Sequence, residues 1–128
     1  MKRKYRLRRA SDFKRVRSQG KSFGHPWVAL LLAPNDLPYS RVAVVAGRSV
    51  GKAVQRNRAK RRLRACVERL FPYIRAGWDL ILFARPGAVT VPFDDLVSAV
   101  TGLLRRGGVL ITEAMDQQVV VGNERLSE

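Results

Sequence analysis

The segment that decides the fold reads Gly47-Arg48-Ser49-Val50-Gly51-Lys52-Ala53-Val54-Gln55-Arg56-Asn57-Arg58-Ala59-Lys60-Arg61-Arg62-Leu63-Arg64. An apolar run, Arg41 to Ala46, precedes it, and neither Gly nor Pro occurs between Lys52 and Leu70. The pattern predicts a strand, a short glycine-bearing loop, and a helix from Lys52 or Ala53 to Leu70 that Pro72 ends. Ala59, Leu63, Cys66, Val67 and Leu70 fall at i, i+4, i+7, i+8 and i+11, a single apolar stripe that needs a core to cover it.

Working outward, Trp27 to Ala33 and Trp78 to Ala84 read as buried strands, each bounded by Pro-containing turns. A turn-rich loop joins the first of these to Arg41–Ala46, so the two are expected to run antiparallel. Ser11 is a candidate cap for a short helix over residues 12–18, which Gly20 ends. A last helix is expected from about Pro92 to Arg106, with Asp94 and Asp95 complementing its N-terminal dipole and Gly107-Gly108 closing it. Its apolar face is Leu96, Val100, Leu103 and Leu104. The order helix-strand-strand-helix-strand-helix defines an α+β protein, a two-layer α-β sandwich of helices on a small sheet.

The 128 residues suit one domain, with 46% hydrophobic residues to build its core. Residues 1–106 are read as that domain, opening on a basic flexible arm over residues 1–9. Residues 107–128 are an acidic tail that either adds a strand around Val119 to Val121 or stays disordered. Charge is the outlying property: 25 Lys plus Arg against 10 Asp plus Glu, a net of +15. Only Arg125 among the bases, but four of the acids, lies beyond residue 106, which leaves 24 bases and 6 acids before it, a net of +18. A compact domain with that charge repels itself, and a polyanion is the partner that relieves it. An anionic membrane surface is the weaker competing partner; no apolar run approaches the ~20 residues that cross a bilayer, and no membrane partner is expected. No h-region follows the basic N-terminus, and the single cysteine permits no internal disulfide, so the expected location is cytoplasmic.

Eight of the eighteen residues from 47 to 64 are Lys or Arg and none is acidic. At about 100° per residue, Arg56, Lys60 and Arg64 stack along one helix edge, with Asn57 and Arg61 beside them. Like charges four apart destabilise an isolated helix, and a solvated face would alternate its signs. Phosphate binding explains the run better, since the guanidinium fork chelates two oxygens and stacks on bases. Asn57 is a mediocre helix former whose amide both donates and accepts. Its plain alternative is a local hydrogen bond. Gly51-Lys52 does not complete a nucleotide-binding phosphate loop, because Gly47 and Gly51 are four apart and Ala53 stands where Ser or Thr is needed.

Gly51-x-Ala53-Val54-x-Arg56-Asn57-Arg58-x-Lys60-Arg61, followed by Arg64, resembles the signature of the bacterial ribonuclease P protein family. Upstream Arg6-Leu7 and Asp12-Phe13-x-x-Val16, and downstream Asp79-x-Ile81-x-x-Ala84-Arg85, extend the likeness over about residues 6–106. The resemblance implies a sandwich whose parallel strand pair is joined by a left-handed crossover. It also implies a subunit of a tRNA-processing endoribonuclease in which a catalytic RNA binds Mg2+ and cuts the 5′ leader from precursor tRNA. The protein then carries no catalytic residue of its own and holds no metal tightly. Carried over, Arg56, Asn57, Arg58, Lys60, Arg61 and Arg64 are the contacts to the catalytic RNA, with Arg48 and Lys52 as additions. Phe13 matches the first-helix aromatic of a cleft for the single-stranded leader. Two positions depart from the family: Arg17 and Leu31 stand where aromatics are common, which makes stacking poorer and charge contacts richer. Trp27 is a further candidate for the cleft, set against the plainer reading of an interior Trp.

Other classes fit less well. A ribosomal or general structural RNA-binding protein shares the size and charge but has no reason for the Arg56-Asn57-Arg58 run. A protein-only hydrolase lacks a histidine pair, since His25 is the only histidine, and its adjacent Asp94 and Asp95 point to different helix faces. Cys66 reads as a small buried hydrophobe. A DNA-reading module is not expected, for want of zinc spacing or a compact helix-turn-helix.

Overall fold

The computed structural model describes residues 1–111. Helix α1 spans Ala10–Gln19, strand β1 Lys21–Gly24, β2 Val28–Pro34, β3 Arg41–Ala46, helix α2 Ala53–Leu70, β4 Trp78–Ala84 and α3 Phe93–Arg106. The strands form one sheet in the order β1-β2-β4-β3. β2 and β3 do run in opposite directions, but they are not neighbours. β4 lies between them, antiparallel to β2 and parallel to β3. A central β4 is buried on both faces, which is why its sequence is apolar almost throughout.

Alternation along the strands sorts two cores. Leu30, Leu32, Val42, Leu80 and Leu82 face α2 and α3, together with Ala59, Leu63, Cys66, Val67 and Leu70 of the predicted stripe. Each buried leucine contributes about 1.5–3 kcal/mol, so this layer dominates the stability. Ala33, Ala43 and Ile81 face the other way and pack on Leu7 and on Val16 of α1. The α-β sandwich is therefore joined by α1, which covers part of the opposite sheet face.

The hand of the β3-α2-β4 crossover follows from the chirality of Val42. Its side chain packs in the α2 layer, and its carbonyl accepts the Leu7 N–H at 3.0 Å on the edge away from β4. Viewed from the α2 side with β3 rising, an L-residue whose side chain faces the viewer points its carbonyl right. β4 thus lies to the left with α2 in front. The crossover is left-handed, against the usual preference.

Several local expectations are corrected. Helix α1 starts at Ala10, capped by Arg9 without a side-chain bond, so Ser11 lies inside it. Strand β1 was not read from the sequence, because Phe23 is its only large apolar residue. Residues 1–9, read from the sequence as a basic flexible arm, lie against the β3 edge: Arg6 bridges Val42, Leu7 is buried, and Tyr5 packs on Tyr39 and Phe71. Tyr5 and Leu7, apolar side chains within the basic arm, account for this docking. The domain also runs past residue 106, since Val109 and Leu110 are buried and Leu110 bridges Ile74. The strand considered around Val119 to Val121 lies outside the described residues.

Candidate nucleic-acid interface

The loop into α2 turns on Gly51, whose φ of +138° suits glycine, and an added Cβ would sit 3.1 Å from the Gln55 Cβ. Arg56 reaches back across this turn and donates to the Gly51 carbonyl at 3.0 Å, which fixes the loop on the first helical turn. Arg48, Lys52, Asn57, Arg58, Arg61 and Arg64 are exposed, while Arg56 and Lys60 are half-buried. Among the described residues none of these cations is in an ion pair, and Asn57 makes no side-chain hydrogen bond. The structure therefore brings all eight predicted contacts onto one loop and one helix. The neighbouring Arg62 behaves differently: it donates to the Ala88 carbonyl at 2.7 Å and also to that of Val91, tying α2 to the turn before α3.

On the opposite sheet face, where the leader cleft is expected, Phe13, Leu31, Val45 and Phe83 pack on the smaller core, all four partly buried. The Arg17 guanidinium stands 5.4 Å from the centre of the Phe83 ring, a cation–π contact. Phe83 was missed in the sequence, although strand alternation from Leu80 and Leu82 puts it on the α1 side. Trp27 is not brought to this cleft. It packs against the α2–α3 core with its ring 4.9 Å from that of His25, and its backbone N–H donates to His25 Nδ1 at 3.1 Å. The lone histidine is thus a turn residue.

A buried charge cluster holds α1, one wall of the cleft, to the sheet. Asp79 is wholly buried and accepts two bonds from Arg41, at 2.9 and 2.7 Å, and one from Asn35 at 2.8 Å. Arg15 of α1 also binds Asp79, and Asp12 of α1 lies 3.3 Å from Arg41. Burial pushes the Asp79 carboxyl up, but the bonds from Arg41, Asn35 and Arg15 outweigh it and hold it below its ordinary value. Cys66 has no such partner, and burial pushes its thiol up to about 11. A thiol so protonated is inert.

The molecule is thus a small basic α+β protein with an unpaired cationic helix on one flank and partly buried aromatic side chains on the opposite sheet face. The family model described as Ribonuclease P matches residues 1–108. The chain is 44% identical over 111 residues to the ribonuclease P protein component of Chloroflexus aurantiacus, covering 86% of this chain and 82% of that one. It is 41% identical over 114 residues to that of Symbiobacterium thermophilum, covering 88% and 99%. The solved RNase P protein from Thermotoga maritima superposes with a TM-score of 0.72 at 31% identity, over 79% of this chain and 96% of that one. The RNase P protein of Staphylococcus aureus shares the fold, with a TM-score of 0.74 at 23% identity over 83% and 97%. The chain belongs to the ribonuclease P protein family.

Proposed function

We propose that the chain is the protein subunit of a ribonuclease P ribonucleoprotein, acting in the cytoplasm on the 5′ ends of precursor tRNA. The catalytic RNA docks on the exposed side of α2 and its preceding loop through Arg48, Lys52, Arg56, Asn57, Arg58, Lys60, Arg61 and Arg64. The single-stranded leader lies in the cleft, where Phe13 and Phe83 offer ring faces and Arg17 offers charge. The reading rests on one observation above all: a row of cations without acidic partners on a rigid helix, in a chain of this family. Phosphates brought to that row release their counterions and relieve the repulsion that the free protein bears.

The chemistry is assigned to the RNA subunit and the Mg2+ it binds. Among the described residues no three His, Cys, Asp or Glu side chains gather to hold a metal, and Asp79 is already neutralised by arginine. The protein's part is to bind, to neutralise phosphate, and to place the leader.

Reconstitution tests this. The protein mixed with a bacterial ribonuclease P RNA at low magnesium should restore 5′ processing of precursor tRNA, and alone it should leave the precursor intact. Binding to that RNA without any gain in processing would favour a general structural RNA-binding role. Cleavage that survives removal of all RNA would overturn the assignment of chemistry.

A further inference from the structure

The outer edge of β3 is only half covered. The Val42 carbonyl on this edge accepts the Leu7 N–H at 3.0 Å, and the chain then turns away into α1. Val44 and Ala46 point their N–H and carbonyl groups to the same side as Val42, because strand backbone groups alternate with period two. Among the described residues no backbone hydrogen bond meets them there.

A cavity of about 280 Å³ runs along this edge. Side chains from both faces of the sheet line it: Val42, Val44 and Val67 from the α2 layer, and Leu7, Phe13 and Ala43 from the α1 side. A space that reaches around a strand edge to both faces has the shape of an added strand, whose successive side chains enter the two layers in turn. Arg6, Arg8 and Arg64 also border it, and among the described residues none of the three is in an ion pair. The one acid in the wall, Glu68, meets the Met1 amino group at 2.9 Å.

An open strand edge is a template for pairing with another segment. The segment that fits here is short, apolar at consecutive positions and acidic on its flanks. Val119-Val120-Val121, beyond the described residues, has that character: β-branched side chains in a row suit a strand covered on both faces. Asp116 and Glu124 stand three residues outside the run at either end, and residues 112–128 carry four acids against Arg125 alone. The reach is sufficient. The Ile111 N–H donates to the Tyr73 carbonyl at 2.6 Å, in the turn that follows α2. From Val67 to Tyr73 the backbone advances about 10 Å along the helix axis. Extended chain from Ile111 to Val119 spans up to about 27 Å.

We infer that residues 119–121 pair with the free half of β3 as a fifth strand, their valines filling the cavity on both faces. Asp116 and Glu124 are then set against Arg6, Arg8 and Arg64. A second copy of the chain suits the edge less well, since it carries the same net charge of +15 and brings the same arginines face to face.

Amide hydrogen exchange on the full chain tests this pairing. The Val44 and Ala46 amides should be protected in the native chain. Val120→Pro, which removes a donor from the middle of the run, should speed their exchange about tenfold and leave that of Ile81 in central β4 unchanged. The double variant Asp116→Lys, Glu124→Lys should act in the same direction, because it turns attraction to the three arginines into repulsion. Fast exchange at Val44 and Ala46 in the native chain, or protection that survives both variants, would overturn the proposal. Protection that rises with protein concentration, together with a dimer in sedimentation, would assign the edge to a second copy and overturn it as well.

Discussion

Arg41 grips Asp79 with two bonds, Nε to Oδ1 at 2.9 Å and Nη2 to Oδ2 at 2.7 Å, between adjacent strands β3 and β4. The pair sits under α1, whose Arg15 and Asp12 complete it. A carboxylate buried in an apolar strand persists only because two guanidinium groups and an amide satisfy it. Removing one partner leaves that charge uncompensated. Arg41→Ala should therefore cost about 3–5 kcal/mol of unfolding free energy, read from urea titration at neutral pH.

The same cluster sets an acid limit. The folded Asp79 carboxyl lies below its ordinary value of 3.8, so its contribution is complete above that value and fades as pH falls through the lower folded one. The bonds to Asp79 raise the Arg41 guanidinium above its ordinary value, so its share is constant across the measured range. Stability measured from pH 6 down to about pH 2 should drop at the acid end, and Asp79→Asn should flatten part of that drop. An identical acid slope in the variant would assign it to other carboxylates.

Arg61 and Arg62 are adjacent in sequence and serve different ends. Arg61→Ala should leave stability within about 0.5 kcal/mol and lower the salt slope of RNA binding by about one unit. Arg62→Ala strands the Ala88 and Val91 carbonyls and should cost about 1–3 kcal/mol in stability. Its effect on the salt slope should be the smaller of the two. Thermal unfolding and binding at several salt concentrations separate the two variants.

The aromatic cleft is tested by leader dependence. Phe13→Ala and Phe83→Leu should weaken precursor tRNA binding by about 1–3 kcal/mol per lost stack and leave mature tRNA nearly unaffected. Equal losses for both tRNAs would make these rings core residues only.

Gly87 is a packing constraint on Trp27. An added Cβ would come 2.4 Å from the indole Cδ1, so Gly87→Ala has to displace the ring. A loss of about 1–3 kcal/mol is expected, with a change in Trp27 fluorescence recorded in a Trp78→Phe background. Unchanged emission would show that the ring is free to move.

The apolar runs of β2, β3 and β4, the α2 stripe and the unpaired basic face were legible because each is a local periodicity. Strand β1 was not, because Lys21, Ser22 and Gly24 carry no apolar signal and the strand exists by pairing with β2. Phe83 was legible in principle from alternation. Trp27 was not separable from the cleft residues, because its side is set by packing on α3 and Gly87.

The sequence by itself determined the helices and three strands, the continuous cationic row and the family. All of these depend on residue type at short spacing. Only the tertiary structure decided that β4 enters between β2 and β3, that Asp79 is clasped by residues from α1, β3 and the loop after β2, and which arginines are spent inside the protein. Those outcomes join groups dozens of residues apart, such as Arg15 and Asp79, and depend on which charges burial forces together. No local pattern carries that information.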